Sequence, residues 1–565
     1  MPPTAELLTL DELAARFSAA ARSLYPQSEP QVTFEAPRRA EFGDIATNVA
    51  FGLAKAAKAP PPAIAGAIVA CALQDDGVRA TVAEATPTAG FINLRLAPAF
   101  WQRTVARVLR EGDDYGRGPA RGERVSLEFG SANPTGPLVV VQGRTLSIGD
   151  TLANAMRFAG YAVFTEWIIN DAGAQLATLG RSLYARYQQL WDAGYPFPDD
   201  GYPGDYLVPI AEAIRARDGD RWRSADEAAW LPYFQQFGRD ANVAEQQAIA
   251  KRFDVDFDLW QSERALHDAG TIAVGIERLR ELGLTYEKDG ALWVRTTQTG
   301  DDEDRVVVRA DGRPTYYAGD VAYHYEKLKR ADRVIDILGP DHHGYIARLN
   351  ALADAYGRPG AIEVILAQQI TLKRGTEIIA MSKRAGTIVT LADILDEVGV
   401  DAARFFFVML STDQPLTFDL QLAKEQSNEN PVFYVQYGHA RIASLIRRAA
   451  DRDATLLDAL DPNALEGGGA LARLVDPAEL ALARRLSEFG AVVEGVARAR
   501  APHRLAKYAR DVAADFHPFY DRCPILPIVE SDRELAVARL ALASATRTVL
   551  AHALALCGVS APQQM

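Results

Sequence analysis

Apolar positions recur at two periods along this chain. Four short apolar runs, Val125 to Phe129, Ala162 to Ile169, Arg333 to Leu338 and Ile362 to Ile370, are separated by longer stretches with helical spacing. That order predicts an α/β fold, with a parallel sheet covered by helices. After the first run the chain turns through Ser131-Ala132-Asn133-Pro134-Thr135-Gly136-Pro137 into a helix expected to begin near Gly143 and Arg144. Leu146, Leu152, Ala155, Met156 and Ala159 give that helix its apolar face, and Gly160 supplies a left-handed close. A strand, a glycine-bearing turn and a helix start form a phosphate cradle, because orphan N–H groups and the positive end of the helix dipole face the same space. No Walker A sequence is present, and no GxGxxG follows the first strand.

The flanking regions carry other patterns. Residues 1–118 suggest a small α+β domain. It has a helix over Leu10 to Tyr25, a strand over Gln31 to Glu35, an alanine-rich helix broken at Pro60-Pro61-Pro62, and a strand over Gly90 to Leu96. A nucleotide-binding domain is expected over 119–424. Within it, residues 176–300 are rich in Tyr, Trp, Asp and Arg and mostly helical in period. They suggest an insertion between the two halves of the sheet, with Gly290 to Thr296 as the return strand. Residues 425–565 are helical in period almost throughout. Their last apolar stretch, Leu535 to Val559, is interrupted by Arg539 and Arg547 and suggests a pair of core helices, not a membrane span.

At 565 residues the chain is long enough for three or four domains, and 48% hydrophobic with 24% charged residues is the composition of a soluble globular protein. Cys71, Cys523 and Cys557 are far apart and form no CxxC pair, which points to a reducing compartment and no thiolate zinc site. The N-terminus has acidic residues and no basic stretch before an apolar run, so it does not suggest a signal peptide. A net charge of −13 argues mildly against a nucleic-acid partner. Local sets matter more: Arg498 to Arg510 holds five Lys/Arg and no acid, and Arg441, Arg447, Arg448 and Arg452 form another. Each alone suits a solvated helix face; together they suit a polyanion.

Several side chains carry candidate chemistry. Tyr316 and Asp320 are four apart on an expected helix and share one face. A tyrosine hydroxyl beside a carboxylate suits a guanidinium ligand, and an N-terminal helix aspartate with a core tyrosine is the plainer alternative. His342 and His343 are adjacent, so on a helix they point about 100° apart and are poor co-ligands for a metal. Asp301, Asp302, Glu303 and Asp304 lack the spacing of a calcium loop and suit a solvated turn; no metal site is expected. Met381-Ser382-Lys383-Arg384 lies in a polar loop of the kind that closes over a triphosphate, with Lys383 as a point charge for the β,γ-phosphates. Tyr434, Tyr437 and Arg441 form one helical stripe, suited either to a core or to stacking on splayed bases.

Five segments together resemble one family. Ser131 to Leu138 (SANPTGPL) before a helix, Ile169 to Gln175 (INDAGAQ), Asp341 to Tyr345 (DHHGY), Met381 to Arg384 (MSKR) and Asn430 to Arg441 (NPVFYVQYGHAR) follow the order of arginyl-tRNA synthetases. The chain resembles that class I family over nearly its whole length. The resemblance implies a Rossmann-like parallel sheet with an insertion, an N-terminal appended domain that touches the corner of the tRNA, and a C-terminal helical anticodon-binding bundle. It implies ATP with Mg2+ as a substrate complex and no tightly bound cofactor. It further implies L-arginine and tRNA(Arg) as partners, in a cytoplasmic protein expected to be monomeric. By the same resemblance Glu128 and Asn133 meet the amino and carboxylate ends of arginine, and Tyr316 and Asp320 its guanidinium. Pro137, Gly143, Asp341, His342, His343, Met381, Ser382 and Lys383 lie on the ATP side, with Lys383, Gln142 and Arg384 as catalytic candidates. Asn48, Asn93, Tyr434, Tyr437, Arg441 and Met565 are the tRNA contacts.

The chain departs from the family at one place. A His-x-Gly-His tetrad normally follows the Pro-Leu pair; here those positions are Val139, Val140, Val141 and Gln142, and no histidine precedes His267. The family's histidines donate to ATP phosphates, and removing one such donor typically costs about 2.7–4 kcal/mol in the transition state. Val139 offers no donor, Gln142 offers a neutral amide, and Val141 puts a branched Cβ where the base would approach. Retention of Lys383, Tyr316, Asp320, Asn133 and the aromatic stripe favours a working enzyme, with Gln142, Lys383, Arg144 or the His342/His343 pair sharing the load. The rival is a paralogue that binds tRNA or arginine without charging. A cysteine-type class I enzyme is disfavoured, because no cysteine lies between Cys71 and Cys523.

Overall fold

The computed structural model describes residues 6–35, 37, 39–342, 344–379, 389–467 and 469–565. Its central sheet has five strands: β1 (Arg124–Ala132), β2 (Ala162–Ile169), β3 (Leu259–Ser262), β4 (Arg333–Leu338) and β5 (Ile362–Leu366). They lie in the order β5-β4-β1-β2-β3, and every neighbouring pair is parallel. The order reverses between β1 and β4, which opens a crevice at their carboxyl ends. Glu128 on β1 stands directly opposite Asp336 on β4.

The helix after β1 runs over Val140–Phe158, three residues ahead of the expected start. Gln142 causes the early start: its Oε1 accepts the Val139 N–H at 3.0 Å and so caps the first turn. Val140 is fully buried and Val141 packs against the main core, so much of the valine run is absorbed as packing.

Four other expectations need correction. The run from Ile362 to Ile370 divides: β5 ends at Leu366, and Ile370–Arg374 belongs to a second, three-stranded sheet. The break falls at Gln368 and Gln369, whose carbonyls accept from the Arg144 guanidinium at 2.7 and 3.3 Å, and Gln369 O also takes the Leu416 N–H of the second sheet at 3.0 Å. Ala291–Val294 pairs in a small antiparallel sheet with Thr285–Lys288 and Arg305–Val308, so it is not a return strand of the main sheet. The main sheet is instead completed from within the insertion by β3. Gln31 to Phe34 form no strand; Val32 gives its N–H to Ser18 Oγ, and only Glu35 bridges to Ala46. Leu535 to Val559 is one helix, Arg533–Leu556, with no Gly or Pro inside to break it, and Arg539 is neutralised by Glu479. Among the described residues no helix is long and apolar enough to cross a membrane.

The acidic run is not a free turn either. Asp301 is buried and, with Asp302 and Glu303, pairs with Arg305. The N-terminal domain has a three-stranded antiparallel sheet, Ile45–Thr47, Phe91–Leu96 and Val82–Thr88, with Phe91–Leu96 in the centre. It is fastened to the C-terminal helices by Gln102 Nε2 donating to Leu474 O at 2.9 Å, and by the Tyr115 hydroxyl donating to Leu486 O at 2.9 Å.

Arg404 sits fully buried where three regions meet. Its guanidinium donates to Phe253 O (2.8 Å) and Asp254 O (3.0 Å) after the long insertion helix, to Cys557 O (3.1 Å) near the C-terminus, and to the Asp150 carboxylate of the helix after β1. Removing it strands a buried carboxylate and three carbonyls. We expect Arg404→Ala to cost about 3–5 kcal/mol of stability, read by denaturant unfolding. Arg404→Lys should recover little, because one ammonium cannot span the fork. A loss below about 1 kcal/mol for Arg404→Ala would contradict this account.

Candidate active site

The crevice at the switch between β1 and β4 holds a cavity of about 440 Å³. Its floor is Glu128 and Ser131 from β1, Ile168 from β2 and Asp336 from β4; its walls include Asn133, Asn170, Glu263, Tyr316, Asp320, His342 and Tyr345. A second cavity of about 830 Å³ adjoins it, lined by Asn133, Pro137, Val139 and Gln142 on one side and Asp199 to Tyr206 on the other. Ser131, Asn133 and Asn170 line both, so the two form one groove around the turn after β1.

A buried charge network underlies the smaller cavity. Lys327, with no exposed surface, donates from Nζ to Glu128 Oε2 at 2.6 Å and to Asp336 Oδ1 at 2.7 Å. Burial opposes the Lys327 charge, but Asp336 and Glu128 raise its pKa above the ordinary lysine range. His324 donates from Nε2 to Asp336 Oδ2 at 2.8 Å, and Asp336 overcomes burial to raise that imidazole's pKa. Burial alone would lift Asp336, yet Lys327 and His324 together hold its carboxyl well below its usual value. Burial pushes Glu128 up, and Lys327 offsets this only in part. Behind them Glu166 is bonded by Ser126, Tyr323 and Arg330.

Two carboxylates in the wall stand outside this network. Asp320 has no side-chain partner among the described residues, and burial pushes its pKa up to about 6. Glu263, at the end of β3, is also raised by burial, with the Asp320 charge adding to the effect. Two acids with no ion-pair partner among the described residues, in one concave wall, make a site for a positively charged group. Tyr316 is on the same helix face as Asp320 and stands 70% exposed at the rim. Thr315 caps that helix, Tyr316–Arg330, by accepting the Ala318 N–H.

The other expected residues fall into distinct places. Glu128, Asn133, Tyr316, Asp320 and His342 converge on the smaller cavity, and Pro137 and Gln142 line the larger one. Asp341 is exposed and lines neither cavity. Gly143 needs correcting: it is buried, and a Cβ there would meet Leu391 at 2.7 Å and Phe407 at 2.9 Å, so it serves helix packing and not the cleft. Arg144 needs the same correction. Its guanidinium is spent on the carbonyls of Gln368, Gln369, Ser411 and Gln414 and is shut off from any ligand. His343, Met381, Ser382, Lys383 and Arg384 lie outside the described residues. The chain that follows Arg384 returns to the site, because Thr390 bridges Val139 and the Leu391 N–H donates to Leu138 O at 2.8 Å.

Away from the groove, Tyr434 packs on His517, and Tyr437 lies parallel to Phe433 at 5.9 Å. Arg441 stacks on Tyr520 at 3.8 Å and pairs with Asp521. Met565 is exposed, and the tail before it is held by Pro562 O on His439 and Gln563 O on Arg447. Asn48 is exposed beside Phe51 and Phe91, each 45% exposed. Asn93 is buried on a central strand rather than an edge, and its Nδ2 donates to Thr86 O at 3.4 Å. Within the basic set, Arg500 is withdrawn into a pair with Glu363, whereas Arg498, Arg504, Lys507 and Arg510 remain exposed.

Glu263 and the Lys327 network were not found from sequence. Glu263 opens a six-residue helix directly after a four-residue strand hidden in a Trp- and Asp-rich stretch. Lys327 had a usable signal, lying at i+7 from Asp320 on the same helix.

Three family models match successive parts of the chain. They are the arginyl tRNA synthetase N terminal domain over 11–96, the catalytic domain of tRNA synthetases class I (R) over 225–413, and the DALR anticodon binding domain over 435–565. The arginine–tRNA ligase of Syntrophotalea carbinolica is 44% identical over 549 residues, 96% of this chain and 97% of that protein. That of Moorella thermoacetica is 43% identical over 559 residues, 98% of each. Among solved structures, Thermus thermophilus arginyl-tRNA synthetase shares the fold with a TM-score of 0.76 at 22% identity, covering 99% of this chain and 100% of that one.

The Asp320 carboxyl makes the pocket pH-dependent. With a pKa of about 6 against an ordinary 3.8, it is neutral in acid and charged above 6. A bound cation needs it charged, so affinity for a guanidinium compound should fall about tenfold per pH unit below 6, measured by calorimetry. Asp320→Asn should flatten that profile. It should also make the ligand-free protein more stable than wild type above pH 6 and no different below about pH 4, since the raised pKa destabilises only the charged form. A wild-type affinity that is flat between pH 5 and 7 would overturn this assignment.

Proposed function

This chain belongs to the arginine–tRNA ligase family of class I synthetases, and on that footing we propose how its groove carries out the ATP-dependent attachment of arginine to tRNA. The observation that carries the proposal is the pair of uncompensated acids, Asp320 and Glu263, in the wall of a pocket at the sheet's switch point. They take the guanidinium, with Tyr316 closing from the rim. The arginine ammonium lies toward Glu128, whose Oε2 is held by Lys327, and Asn133 meets the carboxylate end.

ATP enters as its magnesium complex on the side of Pro137 and Gln142, with Asp341, His342, His343, Met381 and Ser382 toward the nucleotide. A carboxylate oxygen of arginine attacks the α-phosphorus, the bond to the β-phosphate breaks, and pyrophosphate leaves. The 2′-hydroxyl of the terminal adenosine of tRNA(Arg) then attacks the acyl carbon, AMP leaves, and its phosphate keeps the bonding pair. No covalent enzyme intermediate is needed. Catalysis is positioning plus stabilisation of phosphate charge. Lys383 and Arg384 supply positive charge for the phosphates. Gln142 uses its oxygen to cap the helix and keeps its amide N–H groups for a phosphate oxygen. The stripe of half-buried Phe433, exposed Tyr437 and half-buried Arg441 suits unstacked anticodon bases, and Asn48 with Phe51 and Phe91 suits a further tRNA contact. In this reading the protein works as a monomer in the cytoplasm.

The relatives' shared name supports a charging enzyme over a silent paralogue, even without the two histidines. We expect the wild-type protein to charge tRNA with labelled arginine, and Lys383→Ala to lower kcat about 10²–10³-fold. Gln142→Glu keeps the capping oxygen but replaces the amide donor with negative charge, so it should weaken ATP use while the arginine KM stays unchanged. A wild-type protein that binds arginine and tRNA yet charges nothing would revive the silent alternative.

A further inference from the structure

The turn after β1 is gripped from one side by the insertion. Gln246 Nε2 donates to the carbonyl oxygens of Asn133 (3.2 Å) and Gly136 (2.9 Å), and Asn242 Nδ2 to that of Pro134 (3.1 Å). The Tyr206 hydroxyl donates to the carbonyl of Thr135. Four consecutive carbonyls, Asn133 to Gly136, therefore each receive a side-chain donor from one region of the chain. Asn242 and Gln246 are buried and lie four apart on the helix Glu227–Arg252, hence on one face. Tyr206 immediately precedes the helix Leu207–Asp218. A Cβ at Gly136 would stand 3.2 Å from the Tyr206 hydroxyl, so the glycine admits the phenol.

Peptide planarity turns this grip into an orientation. In a trans peptide the next residue's N–H points opposite to the carbonyl, and no peptide bond in the described chain is cis. Two of the four gripped peptides lead into Pro134 and Pro137 and carry no N–H. The other two carry the N–H groups of Thr135 and Gly136, which have no hydrogen-bond partner among the described residues. Holding the carbonyls toward the insertion leaves these two donors on the far side of the turn. It also fixes where the turn delivers Asn133 to the groove and where the capped helix begins at Val139 and Gln142. In a chain with valine at the first histidine position, such fixed backbone and amide groups stand where the missing imidazole donor would be.

We propose that Tyr206, Asn242 and Gln246 are positioning residues for arginine activation, acting through the turn from Asn133 to Gly136 and not by touching the reacting atoms. This rests on the reading of the groove as the activation site. The clamp costs the fold little to lose one donor, because each carbonyl is only one of four, but the turn's placement depends on the set.

The test compares Tyr206→Phe and Asn242→Leu/Gln246→Met with wild type in tRNA charging, with active sites counted by single-turnover adenylate formation and melting followed in parallel. The single variant should lose about tenfold in kcat and the double about 10²-fold, the scale expected for small misplacement of reacting groups. The arginine KM should rise by far less than kcat falls, since the acidic wall is untouched and of the arginine contacts only Asn133 rides on the turn. Unchanged kcat per active site in the double variant would overturn the clamp. So would a loss matched by arginine KM or wholly explained by a lower count of folded sites. Wild type and Lys383→Ala run alongside: if wild type charges and only Lys383→Ala fails, the clamp is wrong and the activation site stands, whereas an inert wild type removes the reading beneath it.

Discussion

The arrangement depends on two buried guanidinium groups that hold one helix. Arg404 reaches the middle of the helix Val140–Phe158 through Asp150 and ties it to the chain just after the long insertion helix and to the C-terminal segment. Arg144, in the second turn of that helix, binds the carbonyls at the exit of β5 and those of Ser411 and Gln414. Both exploit the planar fork of donors, which can satisfy several carbonyls that lie outside any ladder. The parallel sheet fixes where β1 ends. These two side chains fix where the helix after it begins, and the groove is the space between.

Electrostatics then divides the groove's acids by role. Glu128 and Asp336 face each other across β1 and β4, and Lys327 with His324 neutralises them from below. Asp320 and Glu263 receive no such partner and remain available to a ligand. The separation is simple in origin. The helix Tyr316–Arg330 carries Asp320, His324 and Lys327 at successive turns, so one element supplies both the free acid and the cations that quench its neighbours.

Much of this was legible in the sequence, and the misses have physical causes. The strand-turn-helix after Val125, the Tyr316/Asp320 face and the helical C-terminal region follow from periodicity and turn chemistry. The helix start at Val140 was hidden because a glutamine side chain, not a Ser or Thr, supplies the cap. The end of β5 was hidden because Arg144, distant in sequence, decides it. Gly143 was placed on the ATP side by resemblance alone; its close approach is to Leu391 and Phe407. Glu263 escaped because β3 is only four residues long and takes its place from pairing with β2. Tertiary partners set each of these, and local pattern does not report them.

Arg144 has one more consequence. Its pKa is pushed down by burial to about 10, so it is charged at neutral pH, and its hydrogen bonds go only to carbonyl oxygens, without a carboxylate among them. A whole positive charge is therefore fixed just past the first turn of a helix whose dipole already has that sign at that end. The two add to a standing potential at the mouth of the cradle, present without any side chain reaching a ligand. Dissolved ions screen a buried charge far less than an exposed lysine. Any attraction this helix start exerts on an anion is thus largely insensitive to ionic strength, a property that a pair of solvent-facing imidazoles would not confer.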